Sequence, residues 1–208
     1  MEARAQRESD LVTYYDNEVR ARLERDLPVE RVARRTDYLD LLEREERRSV
    51  LEVGSGPGRD AAAFVTAGLT YTGVDLAPGS VAVCRSLGFD VHVASVLELP
   101  FASAAFDAGW TMSTLLHVAD DDLDTALAEI ARVLRPGSPL AIGLWGDRQG
   151  SESRWGERPE FGPPRFFSIR TDDGLRDALQ RHGTLEQWAT WPGADDRLHY
   201  QWAVLRID

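Results

Sequence analysis

Residues 50–64, VLEVGSGPGRDAAAF, with an acid at Asp75 beyond the next apolar run, constrain this 208-residue chain more than any other feature. Residues 49–53 are largely apolar and predict a short buried strand. Gly54, Ser55, Gly56, Pro57 and Gly58 then form a loop almost free of bulky side chains, where backbone can approach a ligand closely. Residues 59–67 are alanine-rich and predict a helix, whose first turn presents unpaired N–H groups. Asp75 ends a second predicted strand (70–75), the distance at which an acid meets the vicinal hydroxyls of a ribose. Strand, glycine turn, helix and acid, in that order, predict a nucleoside-binding crevice in a doubly wound sheet.

Two details bear on which nucleoside. A dinucleotide fingerprint wants G-x-G-x-x-G, and Arg59 stands where its third glycine would be. Glu52 lies within the strand, two residues before the first glycine. A carboxylate there repels a pyrophosphate and suits a ligand whose amino-acid end carries an ammonium. With these residues the chain resembles the class I S-adenosylmethionine-dependent methyltransferases, whose first motif reads acid-x-Gly-x-Gly-x-Gly. The resemblance continues in order through residues 71–78 (YTGVDLAP), 96–101 (VLELPF), 106–110 (FDAGW), 115–118 (LLHV) and 130–137 (IARVLRPG).

The resemblance implies an α/β, Rossmann-like, mostly parallel sheet with an antiparallel final strand and an N-terminal helical cap. It implies S-adenosylmethionine as cofactor, and no metal is expected. Glu52, Gly54, Ser55, Gly56 and Gly58 would hold the methionine part, Asp75 and Leu76 the ribose, and Ser95 and Val96 the adenine. Thr111 and His117 would close the crevice beyond strand four. Ser95 stands where many relatives carry an acid, so its contact to adenine is a weaker one. Tyr15 (with Tyr14) would cover the cofactor, or else form the apolar face of a cap helix. His117 has two readings, a general base of near-neutral pKa or a structural loop residue.

Alternating strands and helices are expected at 50–53, 59–67, 70–75, 78–87, 89–93, 106–111, 121–134 and 139–145, after two helices at 9–25 and 28–45. In the second of those, Val29, Val32, Ala33, Leu39 and Leu42 form a partial apolar stripe. Residues 147–164 lack periodicity and read as a loop. Thr171 is placed to cap a helix over 172–181, and strands at 185–191 and 198–207 flank a turn at 192–196. The whole reads as one domain: cap or lid 1–47, cofactor-binding core 48–145, substrate-side loop 146–170, and a final helix and strand pair 171–208. Trp145, Trp155, Phe161, Phe166 and Phe167 cluster at or beyond strand five and suggest a planar or apolar acceptor.

Composition narrows the partners. The formal charge is −11, and all 24 basic residues are arginine. That balance opposes a nucleic-acid partner, and the N-terminal arginines alternate with acids as on an ion-paired helix surface. No apolar run is long enough for a membrane span, and residues 1–10 lack the core of a signal peptide. Cys84 is the sole cysteine, so a cytoplasmic setting is expected, with Cys84 as buried filler. The chain is expected to be a monomer or homodimer methylating a small-molecule acceptor. The alternatives are an RNA or protein methyltransferase of this fold, a nicotinamide oxidoreductase disfavoured by Arg59 and Glu52, and a non-catalytic cofactor-binding protein.

Overall fold

A computed structural model describes residues 2–155, 158–193 and 197–208. Among them a seven-stranded sheet runs in the order β3-β2-β1-β4-β5-β9-β8. β1 (Ser49–Val53), β2 (Thr70–Asp75), β3 (Val91–Val93), β4 (Gly109–Met112) and β5 (Pro139–Gly146) are parallel. β9 (His199–Ile207) inserts antiparallel between β5 and β8 (Gly183–Pro192). The mostly parallel sheet with an antiparallel final strand is therefore observed. No helix of the described residues is long and apolar enough to cross a membrane.

The central strands are buried on both sides because helices cover both faces. On one face Leu51 and Val53 pack with α5 (Asp120–Val133) and α6 (Asp172–Leu179). α5 supplies Leu123, Ala126, Leu127, Ile130 and Val133, a helical stripe. Thr171 caps α6 by accepting from the N–H of Gly174. On the other face Val50 and Trp110 pack with α2 (Val29–Arg44), α3 (Ala61–Thr66) and α4 (Pro78–Ser86), and Cys84 is fully buried there.

Several boundaries differ from expectation for identifiable reasons. α1 runs Glu2–Leu23 rather than 9–25, because its first turns are charged and carry no apolar period. α2 docks through only the C-terminal end of the expected stripe: Leu42 is buried with Tyr38 and Leu39 packs against the core, whereas Val29 is 76% exposed. Its anchors are polar. The Tyr38 hydroxyl lies 2.8 Å from the carbonyls of both Gly109 and Pro139. Arg31 and Arg35 reach the fully buried Asp60, which therefore stays outside α3 and shortens that helix. The N-terminal arginines are thus widely ion-paired, with Arg25 on Glu18 and Arg47 on Glu45 as further cases.

β3 and β4 are shorter than predicted, Phe106 making only an isolated bridge to Leu134. The largest correction is the loop at 147–164. It contains β6 (Ser151–Trp155), which pairs antiparallel with β7 (Arg165–Ile169) in a separate ribbon. β6 is polar and mostly exposed, so no alternation announces it. The turn expected at 192–196 has its residues 194–196 outside the described residues.

Candidate functional site

β1 ends at Val53, and the chain turns at once through Gly54 with φ +78°. A Cβ on Gly54 would lie 1.9 Å from Oγ1 of Thr114, so no other residue fits the turn. The N–H of Gly56 donates to Oδ2 of Asp75 at 2.7 Å, and the N–H of Ala77 donates to Oδ1 at 2.9 Å. One carboxylate thus ties the glycine loop to the start of α4. Burial raises the Asp75 pKa, partly countered by these two N–H groups.

A cavity opens at the carboxyl ends of these strands, where ligands of such sheets bind. Of the predicted residues, Tyr15, Gly54, Gly56, Asp75, Leu76, Ser95, Val96 and His117 line it. Glu52, Ser55, Gly58 and Thr111 do not. Gly58 instead lets the loop pack on α4, since a Cβ there would sit 3.0 Å from Sγ of Cys84. Thr111 and Ser55 are buried within the fold. Glu52 is buried beneath the loop, accepts a 2.6 Å hydrogen bond from the Tyr71 hydroxyl, and leaves Oε1 with no partner. Burial, reinforced by nearby Asp60, pushes its pKa up to about 8.

The roof of the cavity is one face of α1. Arg4, Arg7, Glu8, Leu11, Tyr15 and Arg22 all line it, at spacings that share a helix face. Only Tyr15 among them was predicted. The signal was present, but as a stripe of mixed polarity. The Ser95 hydroxyl donates to Oε1 of Glu8 at 2.7 Å. Arg4 and Arg7 both pair with Asp122 at the start of α5, and Asp16 accepts from the N–H of Gly79 at 2.6 Å.

His117 ends a single 3₁₀ turn after β4 (Leu115–His117). Its Nδ1 lies 2.7 Å from the Phe166 carbonyl, which can only accept, so Nδ1 carries the proton. Nε2 is then the acceptor for the Tyr15 hydroxyl, 2.6 Å away. Arg165 donates to the same Tyr15 oxygen at 3.0 Å. Burial, together with Arg165 and Arg22, pushes the His117 pKa down to about 3, in place of the near-neutral value expected. The imidazole is neutral, with its tautomer set from outside the cavity.

Comparison with known proteins agrees with this geometry. The profile of the family described as "Methyltransferase domain" matches residues 51–142. An uncharacterized methyltransferase of Mycolicibacterium vanbaalenii is 32% identical over 183 residues, covering 74% of this chain and 67% of that protein. O-methyltransferase resE of Aspergillus sclerotiorum is 39% identical over 102 residues, covering 45% of this chain and 38% of that enzyme. The chain spans less than half the length of several such curated relatives. The same fold occurs in 1,6-didemethyltoxoflavin-N1-methyltransferase of Burkholderia thailandensis, with a TM-score of 0.65 and 24% identity over 88% of this chain and 93% of that one. By motif, topology and these matches, the chain belongs to the class I S-adenosylmethionine-dependent methyltransferases, in their small methyltransferase-domain group.

Proposed function

We propose that this protein transfers a methyl group from S-adenosylmethionine to a small-molecule acceptor in the cytoplasm. The observation that carries the reading is the cavity itself, with the Asp75 carboxylate and glycine loop on its floor and Tyr15 and His117 at one side. The residues suit the cofactor. Asp75 keeps lone pairs for ribose hydroxyls, and Ser95 and Val96 border the place for adenine. Arg22 lines the cavity with a buried, unpartnered Nε, a donor for the carboxylate of a methionine tail. Glu52 supports the loop from below with an unpartnered Oε1, and its raised pKa leaves it largely protonated at neutral pH. The roof of α1 limits the acceptor to small molecules, and the charge of −11 works against a polyanion.

Bound there, the cofactor supplies a methyl on a sulfonium that becomes a neutral thioether as the methyl leaves. The protein holds the acceptor in line and excludes water. His117 receives the proton of a hydroxyl or ammonium acceptor through the Tyr15 hydroxyl, whose bond already occupies Nε2.

S-adenosylhomocysteine is expected to raise the melting temperature, by the equivalent of about 2.7 kcal/mol at a hundredfold excess over Kd. NAD(H) is expected to leave it unchanged. Stabilisation by NAD(H) alone would overturn the reading. Asp75→Ala removes the ribose acceptor and is expected to weaken S-adenosylhomocysteine by about 1.5–3 kcal/mol. Calorimetry on the folded variant checks this, and unchanged affinity would reduce Asp75 to a tie between loop and helix.

A further inference from the structure

The glycine loop, Asp75 and Ser95 follow one another along the carboxyl ends of β1, β2 and β3, and all three border the first cavity. A nucleoside whose ribose meets Asp75 therefore carries its base toward Ser95. Leu76, Val96 and Leu97 line the cavity beside these two residues, and Leu11 of α1 lines it too. Apolar side chains suit the faces of a flat base. The edge of adenine needs something else, because its 6-amino group carries N–H donors that cost free energy if buried unmet.

Ser95 has spent most of its capacity elsewhere. Its Oγ accepts from the N–H of Leu97 at 3.3 Å and gives its one proton to Oε1 of Glu8 at 2.7 Å. The hydroxyl is thus oriented from both sides and steadies the acid. Glu8 lines the cavity, and among the described residues its Oε2 makes no hydrogen bond. Nor does Glu8 form a salt bridge there, although Arg4 and Arg7 stand next to it on α1. Both arginines bypass it and pair with Asp122. The wall beside Ser95 therefore presents an ionic acceptor with an oxygen to spare, and a charge-assisted bond to it is stronger than one to a neutral hydroxyl.

We propose that the Glu8 carboxylate, steadied by Ser95, accepts from the 6-amino group of the cofactor's adenine, so that the base is read from the roof helix rather than from the sheet. This rests on the cofactor reading above and deepens it. Glu8 determines specificity for the base, and Ser95 positions Glu8. The base then joins α1 to the end of β3, and cofactor binding itself fastens the roof.

The test is titration calorimetry with S-adenosylhomocysteine beside its 6-deamino analogue, in which purine replaces adenine. The unaltered protein is expected to bind the adenine compound about tenfold tighter or more, the lower end of the worth of a hydrogen bond to a charged group. Glu8→Ala is expected to abolish the preference by weakening the adenine compound alone. Glu8→Gln keeps a neutral acceptor and is expected to restore part of it, and Ser95→Ala to reduce it without removing it. The melting temperature without ligand checks the fold of each variant, and the comparison in the unaltered protein does not depend on them. Hydrogen exchange across residues 4–15 is expected to slow more with S-adenosylhomocysteine than with the analogue at equal saturation. Equal affinity for the two compounds, a preference that survives Glu8→Ala, or equal slowing of exchange would each overturn the proposal. In those outcomes, retained binding of S-adenosylhomocysteine leaves the cofactor reading standing, whereas binding of neither compound would overturn both.

Discussion

Asp60→Ala is expected to cost about 3–5 kcal/mol of folding stability, the usual consequence of removing one partner from a buried ion pair. The Asp60 side chain is wholly buried. It accepts from Nε of Arg31 at 2.9 Å, from Arg35 at 2.7 Å and from the indole N–H of Trp110 at 3.0 Å. The two arginine side chains are only 14% and 15% exposed, so the alanine variant strands two cations and an indole donor in a dry place. Urea unfolding followed by far-ultraviolet circular dichroism measures the loss. Asp60→Asn separates charge from hydrogen bonding and is expected to recover only part of it. A loss below about 1 kcal/mol in the alanine variant, within the range of exposed pairs, would show that the arginines find water when the acid is gone.

His117→Ala is expected to lower turnover by roughly 10²–10⁴-fold, the usual worth of a positioned base. Affinity for S-adenosylhomocysteine should stay nearly unchanged. Because burial holds the imidazole near pKa 3, it is neutral throughout the ordinary assay range. The rate profile should therefore lack a histidine inflection between pH 6 and 7. The same depression has a stability consequence of definite sign. The folded state binds a proton at His117 more weakly than the unfolded state, so His117 costs stability as pH falls below the unfolded value near 6.5. Tyr15→Phe removes the hydroxyl bonded to Nε2 and tests the relay separately. Wild-type turnover in a folded His117→Ala protein would leave positioning alone to drive the reaction.

The strand-end floor of the cavity was legible in sequence because its parts are local. Gly54, Gly56 and Asp75 sit within one strand–turn–helix–strand unit, and spacing alone brings them together. Glu52 was legible as an acid but not as one buried away from the cavity. Its alternation with Val53 places it on the opposite face, beside Val50. The roof was not legible, because α1 meets the cavity through charged and polar side chains and leaves no apolar period to read. Arg165 was hidden for a related reason. It belongs to a β-ribbon whose partner strand, Ser151–Trp155, is polar on both sides, and its role arises only when that ribbon meets Tyr14 and Tyr15 from the other end of the chain.

The way α1 is fastened separates two properties that are often locked together. Its ties include the pairing of Arg4 and Arg7 with Asp122, the Asp16 contact to α4, a pairing of Asp10 with Arg154, and the Tyr15 and Glu8 bonds, alongside the buried side chains of Leu11, Tyr14 and Val19. The sheet and its covering helices hold the main apolar core without it. Lifting the roof would expose those three side chains and leave the core packed, so α1 is expected to open below the free energy of global unfolding. Product escape and thermal tolerance then depend on different residues. Changes to the polar pairs of one helix can therefore retune the opening of the cavity, with the core left as it was.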